Sequence, residues 1–240
     1  MSTEIVDYDK LMADMAKAAA AAEKPQASNI GLRAGQLTYN GNVVPGNKLE
    51  CIVIASTHAN LYYTGKYDPD NLASPVCYAY GDDEGSMVPH PASSQPQHTD
   101  CKTCPHNQFG SAENGKGKRC KNQRVLGLLP ADTKPEDVPT AEMAVLKLPV
   151  TSQKNWAQYV QKIATLYARP PLGVITTITT QPDAKSQFKV VFQQGELVGT
   201  ALLGGLIAKM ESATQALHKE YEVNADAPAA PAVGKSKKFQ

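Results

Sequence analysis

The sequence has no excess of charge of either sign and no long hydrophobic run. Its 240 residues carry 24 Lys and Arg against 23 Asp and Glu, a net charge of +1. This balance excludes a uniformly basic protein that coats nucleic acid, so any such site must come from local charge. No run of roughly eighteen apolar residues is present, which argues against a transmembrane helix. The first residues carry Glu4, Asp7 and Asp9 where a signal peptide would be basic, and we expect a cytoplasmic protein.

The composition changes along the chain and divides it into three parts. Residues 1–26 combine apolar residues at helical spacing with an alanine run, which predicts an N-terminal helical arm. Residues 27–223 predict one core domain, within which the segment 65–124 is an insertion. Residues 224–240 are rich in Ala and Pro and have a basic tip around Lys235, a composition that predicts a flexible tail.

The core is predicted to mix strands with two helices. Apolar runs and alternation predict strands at residues 37–39, 49–56, 60–64, 125–129, 143–150, 173–180 and 188–193. The first helix is predicted over 153–167 with Ser152 as its N-cap, and the second over 197–221. Pro182 and Asp183 are predicted to form the turn between the last two strands. These elements together indicate the α+β class.

The segment 65–124 has almost no apolar periodicity, yet it contains four of the five cysteines. A compact domain rarely holds a loop of this length unless something orders it. In Cys101-Lys-Thr-Cys104 the two-residue gap lets both thiolates of a knuckle reach one zinc ion. In a reducing compartment such cysteines indicate metal binding more than disulfides. We therefore predict a structural zinc site that orders this segment.

Four thiolates would close the zinc site. The predicted ligands are Cys77, Cys101, Cys104 and Cys120. His98 is the strongest alternative fourth ligand, and His90 and His106 are weaker ones. A redox-active pair is the competing interpretation of the knuckle, but such a pair belongs at a strand-to-helix junction. Cys51 lies in an apolar strand and is predicted to be a buried core residue.

The segment that follows the knuckle is basic, and a group of tyrosines precedes it. Between positions 101 and 124 six Lys and Arg residues stand against Glu113 alone. Glycines in the loop 114–119 let backbone amides approach phosphate, although a solvated turn is the simpler interpretation. The tyrosines suit stacking on unpaired bases, and packing against a strand is the alternative. The predicted nucleic-acid contacts are Lys66, Lys102, Lys116, Lys118, Arg119, Lys121, Arg124, Tyr62, Tyr63, Tyr67, Tyr78 and Tyr80.

Three motifs of this insertion resemble a signature of tailed-phage and prophage proteins. They are Pro75-Val-Cys77, then Cys101-Lys-Thr-Cys104-Pro-His-Asn-Gln-Phe-Gly110-Ser, and then Gly115-Lys-Gly-Lys-Arg-Cys120-Lys-Asn122-Gln-Arg124. The architecture is similar to that of phage single-stranded DNA-binding proteins whose OB-type barrel carries a zinc subdomain. This resemblance implies an α+β fold with an OB-like antiparallel β-barrel, a zinc-binding lobe inserted at about 65–124, and flanking helices. The basic tail departs from the acidic tail with which many single-strand binders recruit partners.

We therefore predict a sequence-tolerant single-stranded DNA-binding protein that acts in phage DNA replication or recombination, in the host cytoplasm. RNA is an alternative ligand, replication or recombination proteins are candidate partners, self-association is left open, and no membrane partner is expected. The second hypothesis is a zinc-containing regulator that binds duplex DNA, or a host-protein interaction factor. An enzyme is not predicted, because no pair of carboxylates has a nearby histidine at informative spacing. The acidic run 82–84 fits a solvated turn better than a cation site.

Overall fold

The computed structural model describes most of the predicted core domain. The described parts are residues 28–65, 73–218 and 220–221, together with Tyr8, Met12 and Met15. The predicted arm over 1–26 lies outside the described residues except for these three positions, which are helical. The predicted tail over 224–240 lies wholly outside them.

Nine strands and two α-helices are present in the described parts of the chain. The strands are β1 (Asn29–Arg33), β2 (Gln36–Tyr39), β3 (Asn42–Val43), β4 (Lys48–Tyr62), β5 (Cys77–Gly81), β6 (Lys121–Pro130), β7 (Ala144–Leu148), β8 (Val174–Asp183) and β9 (Gln187–Leu197). The helices are α1 (Val150–Tyr167) and α2 (Thr200–Leu217). Neither is long and apolar enough to cross a membrane, and the same holds for every helical stretch that the structure describes.

All nine strands belong to one curled sheet. Its order is β3-β2-β1-β7-β6-β4-β8-β9, and β5 pairs with the second half of β4. The pairing of β1 with β7 is parallel, whereas the other pairs are antiparallel. The sheet curls into a half-barrel whose path ends at β3 on one side and β9 on the other. The predicted α+β class is confirmed, and the curled sheet is consistent with a barrel-like architecture. Within the described residues, β3 and β9 are not paired with each other, so the strand pairings do not close a barrel.

One asparagine joins the two halves of the curl. Asn47 lies in the tight turn before β4, and its Nδ2 donates to the Gly35 carbonyl at 3.0 Å and to Thr180 Oγ1 on β8 at 2.6 Å. Its Oδ1 accepts from the Leu37 amide at 2.7 Å. The backbone of Asn47 is left-handed, with φ 53°, a conformation that asparagine tolerates better than most residues. The β1–β2 hairpin is thereby held against β8.

The sheet has a hydrophobic core on each face. Residues of β6 alternate between the two cores, as the two-residue repeat of a strand requires. Leu126 packs on one face with Trp156 and Ile163 of α1. Val125 packs on the other face with Leu206 of α2. Each helix therefore covers one side of the sheet.

A β-bulge partway along β4 reverses which of its residues face each of the two cores. The pairing of β4 with β6 shifts between Val53 and Ala55. Val53 packs in the α1 core, but Ala55 and Ala59 pack in the α2 core. The alternate residues Asn60 and Tyr62 therefore project from the opposite face to Ala59, towards the cysteines.

Several elements differ from the sequence prediction. The strand predicted over 60–64 is not separate, because β4 continues without a break to Tyr62. Ser152 is not an N-cap, since α1 already begins at Val150 and the buried Ser152 Oγ accepts from the Val190 amide at 2.9 Å. Pro182 lies within β8, so the turn falls after it. Strand β5 was not predicted.

We expect Asn47→Ala to lower the free energy of unfolding by about 1–3 kcal/mol, because the Leu37 amide loses its acceptor, although Thr180 and Gly35 keep the hydrogen bond between them. Asn47→Gly should also destabilise, since glycine accepts the left-handed backbone but restores no hydrogen bond. Urea unfolding measures both. Asn42→Ala, at an exposed position of β3, is the matched control. Equal stability of the Asn47 and Asn42 variants would contradict the bridging role.

Candidate metal centre and nucleic-acid interface

Four cysteines line one small internal cavity. They are Cys77, Cys101, Cys104 and Cys120. Each is buried, and none forms a disulfide. The cavity volume is about 20 Å³, which is enough for one water molecule or one ion. The structure thus brings together the four residues that the sequence spacing selects.

The cysteines reach this cavity from the sheet and from the irregular chain beside it, the cysteine segment (residues 76–120). Cys77 begins β5 and is paired with Tyr62 of β4. The amide of Cys101 donates to the Met87 carbonyl at 2.9 Å. Cys104 immediately precedes a single 3-10 turn that starts with a proline. Cys120 immediately precedes β6, and its amide donates to the His106 carbonyl at 2.8 Å.

Burial makes ionisation of these thiols unfavourable. Removal from water raises the pKa of Cys77 and of Cys101, and it raises the pKa of Cys120 to about 12. The other cysteines around the cavity raise the pKa of Cys120 further, because a thiolate there would face other thiolates. A cation in the cavity would reverse this balance by stabilising the thiolates.

His98 and His106 also line the cavity, and each has a partner beside it. The Nδ1 of His98 lies 3.4 Å from Asp100 Oδ2. His106 stacks on Tyr62 with ring centroids 4.5 Å apart, and His90 stacks on Tyr78. Within the described ranges, no three His, Cys, Asp or Glu side chains have the mutual spacing of a formed metal site. The thiols share one cavity without yet having coordination geometry.

Three asparagines connect the knuckle to the sheet. Asn107 Nδ2 donates to the Cys101 carbonyl at 2.6 Å. Asn122 on β6 donates to Asn107 Oδ1 at 3.0 Å and also to Asn60 Oδ1 on β4. Lys118 Nζ donates to the same Asn107 oxygen at 3.3 Å. Asn107 therefore holds the knuckle, the sheet and a basic side chain in one network.

An open groove of about 780 Å³ lies beside this network. It is lined by the start of α1 and by the basic loop (residues 109–121). The predicted contacts that line it are Tyr63, Lys116, Lys118, Arg119 and Lys121. Glu84 and Glu113 line it as well, and Glu113 lies 3.9 Å from Arg119. Four cations against two carboxylates give the groove a positive balance.

The backbone of the basic loop is held in place. The Gly110 amide donates to the Gly117 carbonyl at 2.8 Å, and the Arg119 amide donates to Ser111 Oγ at 2.9 Å. Gly115 and Gly117 have φ values of 67° and 81°, which favour glycine. These bonds turn the chain back on itself and direct the cations to the groove.

Phe109 is a groove residue that the sequence analysis did not select. Its side chain is 84% exposed, and Lys118 Nζ lies 6.0 Å from the centroid of its ring. An aromatic ring exposed to this degree has no packing role in the described structure. The available signal was a single phenylalanine in a polar, glycine-rich stretch with no apolar partner nearby in sequence.

Two of the tyrosines that were predicted to stack on bases are buried. Tyr78 is 1% exposed and contacts His90 and Tyr221. Tyr62 is 7% exposed and packs between His106 and Arg119. The prediction that these two rings stack on bases is therefore wrong, because protein groups already occupy their faces.

The remaining predicted contacts lie outside the groove. Tyr80 is half-buried and stacks on His218 at 5.1 Å. Lys102 is exposed on the knuckle. Arg124 is half-buried near the carboxylates of Asp82 and Glu84, which oppose the lowering of its pKa by burial. Lys66 and Tyr67 lie outside the described residues.

No protein-family model, curated protein or solved structure matches the chain.

We expect Asn107→Ala to accelerate amide hydrogen exchange across residues 101–120 while β8 and β9 keep their protection. The Cys101 carbonyl and Asn122 lose a partner, which lowers the local opening free energy by about 1–3 kcal/mol. Hydrogen exchange followed by mass spectrometry resolves the two regions. The matched control is Asn114→Ala, because exposed Asn114 bonds only within the loop tip. Equal exchange in the two variants would contradict the role of Asn107.

Proposed function

We propose that the protein binds single-stranded DNA without sequence preference, and that a structural zinc ion holds its basic loop in place. The observation that carries this proposal is the groove in which Phe109 and Tyr63 lie among four cations, next to a cavity lined by four cysteines. No catalytic role is part of the proposal.

The side chains of the groove suit an unpaired strand better than a duplex. Exposed rings can stack only on bases that are not already stacked in a duplex, and each such contact contributes about 1–3 kcal/mol. Lys116, Lys118 and Arg119 supply counter-charge for the phosphates. Burial raises the pKa of Tyr63 to about 12, so its hydroxyl remains a neutral hydrogen-bond donor. Stacking is indifferent to base identity, which supports binding without sequence preference.

The cysteine cavity fits zinc by the chemistry of its donors. Zinc prefers soft thiolates in a closed tetrahedral site, and Cys77, Cys101, Cys104 and Cys120 would supply four. When bound, zinc neutralises thiolate charge and crosslinks parts of the chain that lack a core. Rotation of the side chains within the cavity would bring the sulfurs to the ion.

We also propose the type of barrel and the biological role. The curled and mainly antiparallel sheet supports an OB-type barrel with the cysteine segment as its zinc lobe. The resemblance of the cysteine motifs to a signature of tailed-phage and prophage proteins, and of the architecture to phage single-strand binders, supports a role in phage DNA replication or recombination. RNA remains the alternative ligand that the groove chemistry allows.

We expect native mass spectrometry to detect one zinc ion per chain, and Cys77→Ser to abolish it. Because burial raises the pKa of the Cys77, Cys101 and Cys120 thiols, zinc binding should release at least three protons, as measured by calorimetry in buffers of different ionisation enthalpy. Protons compete with the metal below the raised pKa values, so zinc affinity falls as the pH falls.

Two variants control this measurement. Cys51→Ala removes a buried cysteine that lies in the α1 core, away from the cavity, and it should retain zinc. His98→Ala should retain zinc as well. Loss of zinc from His98→Ala but not from Cys77→Ser would contradict the proposed ligand set and assign the fourth position to the histidine.

We expect zinc-loaded protein to bind labelled oligo-dT more tightly than a matched duplex in fluorescence anisotropy over a salt series. Replacing Lys116, Lys118 and Arg119 together by Ala should reduce the slope of log affinity against log salt by about 2, at about 0.7 per phosphate contact. Phe109→Ala should weaken binding by about 1–3 kcal/mol without changing the slope, because it removes stacking and no charge.

The controls remove comparable groups elsewhere. Tyr167→Ala deletes an exposed ring at the opposite end of α1 from the groove. The triple variant Lys48, Lys134 and Lys185→Ala deletes three exposed charges that do not line the groove. Both should bind like the parent protein. Tighter binding to duplex would replace the proposal with the duplex-DNA regulator, and no binding to either would refute nucleic-acid binding.

A further inference from the structure

The sheet has a gap along one edge of β4. β6 pairs with residues 51–61 of this strand along one edge. Along the opposite edge, β8 pairs with residues 48–52 and β5 pairs with residues 58–62. Residues 53–57 therefore have no strand partner on that edge within the part of the chain that the structure describes. At about 3.4 Å per residue, the gap is about 17 Å long.

The sequences beside the gap keep both neighbouring strands from extending into it. Pro170 precedes the 3-10 turn that leads into β8, and Pro171 begins that turn. Proline has no amide proton that it could donate to a neighbouring strand. β5 ends at Gly81, after which the chain turns and the Ser86 amide donates to the Asp83 carbonyl at 3.3 Å. The gap is therefore fixed by the local sequence at each end.

An open slot of about 360 Å³ lies along the gap. Val53, Ile54, Ala55 and Ser56 of β4 line it. Val53 packs in the α1 core, whereas Ile54 and Ala55 pack in the α2 core. Because residues from both faces of β4 line the slot and β6 covers the other edge, the slot opens onto the unpaired edge.

The slot combines an apolar wall with backbone groups that need partners. Leu172 and Met210 contribute to the wall together with the two prolines. Met210 is 41% exposed, and a methionine side chain adapts to different apolar partners. The backbone N–H and C=O groups of the gap that point away from β6 require hydrogen-bond partners. An extended peptide offers both, since its main chain can bond to the strand edge while alternate side chains face the wall.

The end of the slot next to β5 is acidic. Asp82 lines the slot together with Arg124, and the exposed side chains of Asp83 and Glu84 follow. His58 Nδ1 lies 2.9 Å from Glu84 Oε1, but burial and the charge of Arg124 lower the pKa of His58, which favours the neutral imidazole at pH 7. Three carboxylates against one guanidinium repel phosphates and attract a lysine or arginine.

We propose that the slot binds an extended peptide segment of a partner protein, which adds a short strand to residues 53–57 of β4. β5 and β8 both run antiparallel to β4, and a peptide in the same direction enters beside Asp82 and leaves beside Leu172. Its lysine or arginine therefore lies towards its amino end, and apolar residues occupy alternate positions after it. The slot shares no lining residue with the groove, so this inference does not rest on the proposed function.

The probe is a fluorescein-labelled peptide of sequence Lys-Arg-Val-Thr-Val-Thr-Val with both ends blocked. We expect it to bind in fluorescence anisotropy, and to slow hydrogen exchange of those amides of residues 53–57 that point away from β6, as followed by NMR. N-methylation of the alternate peptide amides that face β4 should weaken binding about tenfold or more, because it removes hydrogen bonds to the strand. N-methylation of the other set should weaken it less.

Two protein variants test the lining of the slot. Met210→Ala should weaken peptide binding about fivefold, because apolar contact is lost. Its matched control is Ile207→Ala, which removes an exposed apolar side chain of the same helix outside the slot. Asp82→Asn should weaken binding about two- to fivefold, as expected for an exposed ion pair. Asp132→Asn, at an exposed position outside the slot, is its control.

Absence of peptide binding at millimolar concentration would overturn this inference. Equal losses in the variants and their controls would do the same, as would equal effects of the two N-methylated peptides. Protection of residues 53–57 that rises with protein concentration in the absence of peptide would assign the edge to a second copy of the chain instead. Protection in the dilute protein that peptide does not change would assign it to another part of the same chain, and either result would refute the peptide site.

Discussion

The bulge in β4 is the constraint on which both the fold and the candidate site depend. β4 pairs with β5, β6 and β8, so almost every part of the sheet is joined through it. Before the bulge, the side chains of β4 pack in the two cores under the helices. After the bulge, Asn60 and Tyr62 turn towards the cysteines, where Asn60 is bonded to Asn122 and Tyr62 packs with Cys77 and Cys120. A strand of uniform alternation would have directed these two side chains under α2 instead.

Polar contacts, rather than a hydrophobic core, order the cysteine segment in the described structure. Few apolar side chains of this segment are buried, and they form small groups, one of which joins Met87 with Ala79 and Cys101. Its chain direction is set by backbone and asparagine bonds, of which those of Asn107 reach the sheet. Segments of this kind gain much from a crosslinking ion, because each bond exchanges readily with water and none is individually strong. This arrangement leaves Phe109, Lys116 and Lys121 exposed on the outside of the basic loop.

The sequence predicted features that depend on local pattern, and it missed those that depend on distant partners. Helical spacing located α1, and the two-residue gap of the knuckle selected cysteines that meet in one cavity. β5 was missed because its short apolar run, residues 76–80, stands alone in a segment that is otherwise polar and rich in glycine and proline. Tyr78 looked available for stacking, since no local signal reveals that Tyr221, far along the chain, covers its ring. The bulge in β4 was not predicted either, because a continuous apolar run does not indicate which of its residues face which side of the sheet.

The single parallel pairing of the sheet has a consequence for the order of folding. The β1–β2 hairpin can form by itself from local contacts, but its route into the sheet is through β7. Its other anchor is Asn47, whose partner Thr180 is 133 residues away in sequence. Closing such long loops costs conformational entropy before the stabilising contacts have formed. During synthesis β1 and β2 can therefore join the sheet only after β7 and β8 have been made. The edge of the half-barrel that is synthesised early is then the part that is completed last.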